Sequence, residues 1–248
     1  ALARDQGKQD HINQLVKDLL ESMKSPSKAL PSDGWTSPPL TMWIMDLKVQ
    51  GYSLQEGQDL LLTAGITDHL LQHSRAQLIE RVLLDKLLEE LKLGTSKLAD
   101  RNAALSLGKI LAARLILSGQ AVYAGSQTQV SIRLIETETG RITAAINESF
   151  GSAVPVSILA ETLSKQLLEK LKKLYPLRGK ISEAEGEEIR LNIGQKAGVL
   201  LGDRLKVIDG DATLEIISVQ PDTSLARMVK AKGPLTKGLR VEALHELN

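Results

Sequence analysis

There is no cysteine in the 248 residues of this chain. That one absence excludes disulfides, thiolate nucleophiles and cysteine-ligated zinc together, and it leaves the redox compartment open. Aromatic side chains are nearly as scarce: two Trp, three Tyr and one Phe are too few for the stacking platforms that hold single-stranded nucleic acids. An excess of one charge is also missing. Thirty-one basic residues against 30 acidic ones leave a net charge of +1, so no broad field steers the protein toward nucleic acid or an anionic bilayer. No apolar run approaches the roughly 20 residues of a membrane-spanning helix. The chain opens Ala1-Leu2-Ala3 with neither a start Met nor a signal-like stretch, which reads as a processed or excised form.

What is present belongs to a folded globular protein, with 42% hydrophobic and 25% charged residues. From Gln9 to Lys24, Ile12, Leu15, Val16, Leu19, Leu20 and Met23 form the stripe of an amphipathic helix. Ser25 to Pro39 holds four prolines and reads as a linker or draped loop. Residues 1–39 therefore stand as a helix and a linker ahead of the first domain.

Between Leu40 and Tyr175 the pattern is that of an α/β domain, a mixed sheet with covering helices. Leu40 to Leu47 is a short apolar run expected as a buried strand, followed by a turn at Gln50 to Ser53. Glu56 to His73 reads as a helix with Leu60, Leu61, Ala64 and Leu71 available to its buried face, weakened by Gly65. Gln77 to Glu80 is a short strand, Val82 to Leu93 and Arg101 to Leu111 are helices, and Arg114 to Tyr123 is a strand. Thr128 to Glu136 and Arg141 to Ser149 form a hairpin turning at Thr137 to Gly140. Val156 to Leu174 closes the domain as a helix with Leu159, Leu163, Leu167, Leu171 and Leu174 on one side.

From Pro176 onward, short strands punctuated by glycine predict a small all-β barrel: Arg178 to Ser182, Glu187 to Ile193, Asp203 to Ile208, Thr213 to Val219, Ser224 to Lys230 and Arg240 to Leu244. Tyr175, Pro176 and Gly179 are the expected interdomain hinge, where a basic helix ends before proline.

Catalytic signatures are missing: no phosphate-binding glycine loop, nucleophile elbow, zinc-protease helix or calcium loop occurs. His69 and His73 share an i, i+4 spacing, but no third ligand accompanies them, and they read as helix-end histidines. Asp209-Gly210-Asp211 reads as a hairpin turn. Glu183, Glu185, Glu187 and Glu188 form an acidic hairpin tip, and Lys165, Lys170, Lys172 and Lys173 a solvated helix face. Asn147-Glu148-Ser149 matches a glycosylation sequon, which would carry no meaning if the source were bacterial. No catalytic, cofactor-binding or metal-ligating residue is assigned. An enzyme built from scattered Asp, Glu, Ser and His stays as the contrasting reading.

The segment from Leu78 to Gly119 resembles the curli-secretion-component family and its relatives, the bacterial penicillin-binding-protein activator lipoproteins. The pattern lies in Glu80, Arg81, Leu84, Leu87, Glu89, Leu107, Gly108, Ala112, Ala113 and Gly119, and extends loosely from Leu40 to Leu174. Gly179 to Ile208, with its turns Asn192-Ile193-Gly194 and Gly198 to Asp203, resembles the carboxy-terminal barrel of flagellar assembly protein T, a periplasmic ring component. These resemblances imply a non-enzymatic protein of the bacterial periplasm that docks on protein partners or on a copy of itself, in a flagellar basal-body ring or an outer-membrane complex. The runner-up reading is an activator of a peptidoglycan synthase. Outer-membrane association would run through an anchor upstream of Ala1, since the amino-terminal cysteine that lipidation requires is absent. The hairpins turn too quickly to leave strands for a shared transmembrane barrel, so no pore is expected.

Limited proteolysis tests these boundaries. Cuts are expected to concentrate within residues 25–39 and 174–179, and resistance at both places would show the linkers to be packed.

Overall fold

The computed structural model describes residues 33–51, 57–79, 111, 113–186, 188–231 and 233–244. The expected helices at Gln9 to Lys24, Val82 to Leu93 and most of Arg101 to Leu111 lie outside them, with Glu80, Arg81, Ala112 and Glu187.

The apolar run Leu115-Ile116-Leu117 is 0% exposed, as a strand flanked on both edges and covered on both faces must be. It opens strand β4 (Leu115–Ala124), which is paired along both of its sides. On one side β5 (Gln127–Glu136) and then β6 (Ile142–Gly151) follow as an antiparallel meander. On the other side two short strands pair with it in parallel, one after the other. β1 (Thr41–Ile44) sets Met42, Trp43 and Ile44 opposite Leu115, Ile116 and Leu117, and β2 (Lys48–Gly51) sets Lys48 to Gly51 opposite Gln120 to Tyr123. β3 (Gln77–Leu78) lies beyond β1, giving the order β3-β1-β4-β5-β6 with β2 on β4. The sheet is mixed, as its sequence pattern predicted.

Two expectations are corrected here. The run Leu40 to Leu47 is not one strand but breaks after Ile44, and the chain re-pairs at Lys48, so β2 occupies part of the place expected for a turn at Gln50 to Ser53. β4 is long enough to serve both pieces, which explains why a four-residue strand that buries no side chain persists. Helix α1 (Gln58–His73) buries Leu62, Ile66 and Leu70. Leu60, Leu61 and Leu71, the leucines expected inside, are 56%, 64% and 58% exposed. Leucines occur on several faces of this helix, and the spacing-of-four set won. Gly65 is explained by packing, because a Cβ there would meet the Ala160 Cβ at 2.7 Å. Helix α2 (Val156–Leu174) keeps its predicted bounds and buries Leu159, Leu163, Leu167 and Leu171, while Leu174 is 44% exposed.

The remaining strands, β7 (Arg178–Glu185), β8 (Glu188–Leu191), β9 (Arg204–Val207), β10 (Ala212–Val219), β11 (Ser224–Ala231) and β12 (Arg240–Ala243), close into a six-stranded barrel. Their circular order is β10-β11-β8-β7-β12-β9, and every pairing is antiparallel. Alternation sends one side chain in two inward. Ile181, Ile189, Leu191, Leu205, Val207, Leu214, Ile216, Ala226 and Val241 are each 1% exposed or less and fill the interior. Closure leaves this part of the molecule without a sheet edge.

The chain falls into two compact units. The first holds the described residues within Thr41–Leu71 and Leu78–Ser164, and the second those within Ala29–Leu40, Gln72–Gln77 and Lys165–Asn248.

Gly119 tests the packing of β4. A Cβ at this position would meet the Ser131 carbonyl oxygen at 2.6 Å and Leu47 Cδ2 at 3.1 Å. Gly119→Ala is expected to lower stability by about 1–3 kcal/mol in urea unfolding. Gly233→Ala, where nothing lies within 4 Å, is expected to change it little.

Candidate functional site

The second unit collects two upstream segments, and both are held by polar bonds. In the first, the Asp33 carboxylate accepts hydrogen bonds from the backbone N–H groups of Trp35 (3.0 Å) and Thr36 (2.7 Å) and pairs with Lys180 Nζ at 2.7 Å. This folds residues 33–36 into a tight Asx turn and holds the Asp33 carboxyl far below the usual carboxylate range, the Lys180 bond contributing most. The turn presents Trp35. Its indole N–H donates to the Gly179 carbonyl at 2.9 Å, and its ring lies 4.6 Å from the guanidinium carbon of Arg178 and 4.8 Å from that of Arg240. Each such cation–π contact contributes about 0.5–1 kcal/mol where exposed. Ser37 completes the clip: its hydroxyl donates to the Pro176 carbonyl (2.8 Å) and accepts from Arg178 N–H (2.9 Å), and its own N–H donates to Arg178 O (2.9 Å).

The second segment is anchored by Arg75. Its guanidinium donates to the Ala197 carbonyl at 2.9 Å and twice to the Tyr175 carbonyl, at 2.9 and 3.1 Å. Gly198 lies against it, since a Cβ there would meet Arg75 Cβ at 2.6 Å and its carbonyl at 2.7 Å, and the residue adopts φ +85°. Space and backbone conformation both require glycine at that point.

These segments, the end of α2 and the barrel line a cleft of about 260 Å³, with Leu40, Leu168, Leu171, Leu177 and Leu200 on its walls and Arg75, Lys172 and Asp203 among its polar groups. The turn Gly198 to Asp203 forms one lip. Gly198 and Gly202 both have positive φ, as their sequence pattern suggested, and Asp203 Oδ2 accepts from Leu200 N–H at 2.8 Å. Burial raises the Asp203 carboxyl above its ordinary value against the lowering effect of that bond. Leu200 and Leu201 are 60% and 72% exposed. Neither leucine stood out in the sequence, because apolar pairs in turns carry no periodic signal.

The residues singled out earlier scatter. Tyr175 and Pro176 follow α2 and give their carbonyls to the bonds above, and Gly179 sits in β7 opposite Val241. Asp209 closes the β9–β10 turn and binds Arg240 through both carboxylate oxygens. Glu183 pairs with Arg190 at 3.0 Å, while Glu185 and Glu188 face each other across the β7–β8 turn. Lys165, Lys172 and Lys173 are exposed on α2, Lys170 is half-buried, and Asn147 and Ser149 lie exposed on β6. His69 and His73 belong to α1, and among the described residues no three His, Cys, Asp or Glu side chains gather into a metal-binding group. No described helix is long and apolar enough to cross a membrane.

No family model and no curated protein matches the chain. Among solved structures it is similar to the LpoB C-terminal domain from Salmonella enterica, with 17% identity over 57% of this chain and 96% of that one and a TM-score of 0.41. It is similar also to the lipoprotein GNA1162 from Neisseria meningitidis (14% identity, 54% and 96% covered, TM-score 0.40). A third is the PelC dodecamer from Paraburkholderia phytofirmans (16% identity, 55% and 93% covered, TM-score 0.34).

The Trp35 clip has a pH signature. Hydrogen bonds from the Arg240 side chain and backbone N–H lower the Asp209 carboxyl from 3.8 to about 2. A depressed carboxylate contributes above its unfolded pKa and loses that contribution as pH falls through its folded one. Trp35 fluorescence, read in a Trp43→Phe background, is therefore expected to hold steady from neutral pH to about 4 and to change as pH approaches 2. A transition centred above pH 5 would show that these carboxylates do not hold the clip.

Proposed function

We propose that this chain is a non-enzymatic assembly or scaffold protein of the bacterial cell envelope that works by binding other proteins. The observation that carries the reading is the Gly198 to Asp203 turn, which holds two adjacent leucines at 60% and 72% exposure beside the leucine-lined cleft. A polar turn would serve the barrel equally well, whereas apolar side chains fixed in water at the mouth of an apolar cleft are what a protein partner buries. Arg75 and Asp203, both bonded to backbone, stiffen that surface, so a partner meets a preformed shape and little ordering entropy is lost on binding.

The finer reading places the protein in the periplasm, at a flagellar basal-body ring or an outer-membrane complex and held to the membrane by an anchor upstream of Ala1. Its support is the curli-secretion-like pattern through Gly119 and the flagellar-assembly-T-like turns at Asn192 to Gly194 and Gly198 to Asp203. Activation of a peptidoglycan synthase is the second reading, supported by the likeness of Leu40 to Leu174 to the activator lipoproteins. The hinge at Tyr175, Pro176 and Gly179 belongs to this proposal as the point where the two folds meet in sequence.

A photo-crosslinking amino acid at Leu201, in the protein expressed in its native bacterium, is expected to capture a ring or outer-membrane component. Leu201→Glu is expected to weaken partner binding by about tenfold or more with an unchanged melting temperature, the effect of placing a charge in a desolvated contact. A synthase as the sole adduct would move the assignment to the second reading. Turnover of a substrate by the purified protein would overturn both.

A further inference from the structure

Among the described residues, the two ends of the mixed sheet differ. At one end β3 spans two residues, and at the other β6 spans ten. An edge strand turns the N–H and C=O of every second residue outward, a template for another strand. Proteins usually blunt such an edge by shortening it or by placing Lys or Pro in it. β3 is blunted by its length, and the barrel has no edge at all. β6 carries neither device. Its sequence, ITAAINESFG, holds no Pro, Lys or Arg and a single charge, Glu148. The irregularity in its pairing with β5 falls near Thr143, so the ladder is regular from Ala144 onward. Ala145, Asn147 and Ser149 stand exposed on one face, while Ile146 is 3% exposed on the other.

We infer that β6 pairs with β6 of a second copy of this chain, antiparallel, so that one sheet runs through a symmetric dimer. Three observations on the strand select that occupant. A two-fold axis through an edge strand makes the new pairing antiparallel without further adjustment, and two-fold dimers are the commonest closed assembly. The opposite arrangement, β6 of one copy on β3 of the next, would offer a ladder of only two residues. The side chains are also self-complementary. With the axis at Ile146, Ala145 stands opposite Asn147 and Ala144 opposite Glu148, so the two carboxylates lie apart and no like charges face each other. This dimer uses residues of the first unit, and the partner surface proposed above uses residues of the second, so either can fail alone.

Sedimentation velocity on the purified chain is expected to give a dimer at roughly 100 µM, where an association with micromolar Kd is saturated. The double variant Ala145→Lys/Asn147→Lys sets lysine opposite lysine twice and is expected to weaken the dimer by about tenfold or more. Both positions are exposed, so its melting temperature should match that of the parent. Ala145→Lys/Asn147→Glu sets opposite charges across the axis and is expected to restore the dimer. Because the chain has no cysteine, Ala145→Cys/Asn147→Cys should give a covalent dimer on mild oxidation and no other product. A parent that stays monomeric at that concentration, or a dimer indifferent to the paired lysines, overturns the proposal.

Discussion

Everything in the mixed sheet hangs on β4 being hydrogen-bonded along both sides. Its ten residues pair with all of β5 on one side and with β1 and β2 in succession on the other. Burying the run Leu115 to Leu117 in the middle of a sheet is tolerable only when each backbone polar group has a partner. That constraint accounts for the apolar Leu115-Ile116-Leu117 at the β1 end and for Gly119, where Leu47 and the Ser131 carbonyl crowd the backbone. It also accounts for the break after Ile44. A strand kept straight through Asp46 would carry a carboxylate beside the buried Leu47, whereas the interruption lets the chain leave, turn its charge outward and pair again.

Much of this was legible in the sequence because the signals were periodic. The leucines of α2 recur every four residues and match its buried face, and Ile189 and Leu191 alternate inward around Arg190 as a barrel strand must. Asp209-Gly210 marked a hairpin that is present between β9 and β10. Where signals competed, the sequence underdetermined the answer. Six leucines and isoleucines lie within α1, and periodicity alone could not rank its faces. β2 has one apolar residue in four, and its existence follows from β4 having length to spare.

The candidate site was less legible than the fold, for a physical reason. Its members lie far apart in sequence: Trp35 and Gly179, Arg75 and Tyr175, Arg75 and Ala197. They meet through backbone carbonyls, which every residue type supplies equally. Only the glycines betrayed the arrangement. Gly198 and Gly202 were recognisable as turn residues, but that Gly198 also makes room for Arg75 could be learned only from the packing.

The clip at Trp35 also sets an order of events during synthesis. Trp35 leaves the ribosome 144 positions ahead of the carbonyl that receives its indole, and Arg240 follows later still. Through all that time its binding place does not exist, and the chain between is free to form the local contacts of the meander and of α2. The closing of so long a loop must therefore come near the end, after the last barrel strand has emerged and Arg240 has joined Arg178 as the second flanking guanidinium. A nascent chain stalled before Arg240 would carry an unseated tryptophan, a ready mark by which a folding helper could tell unfinished copies from finished ones.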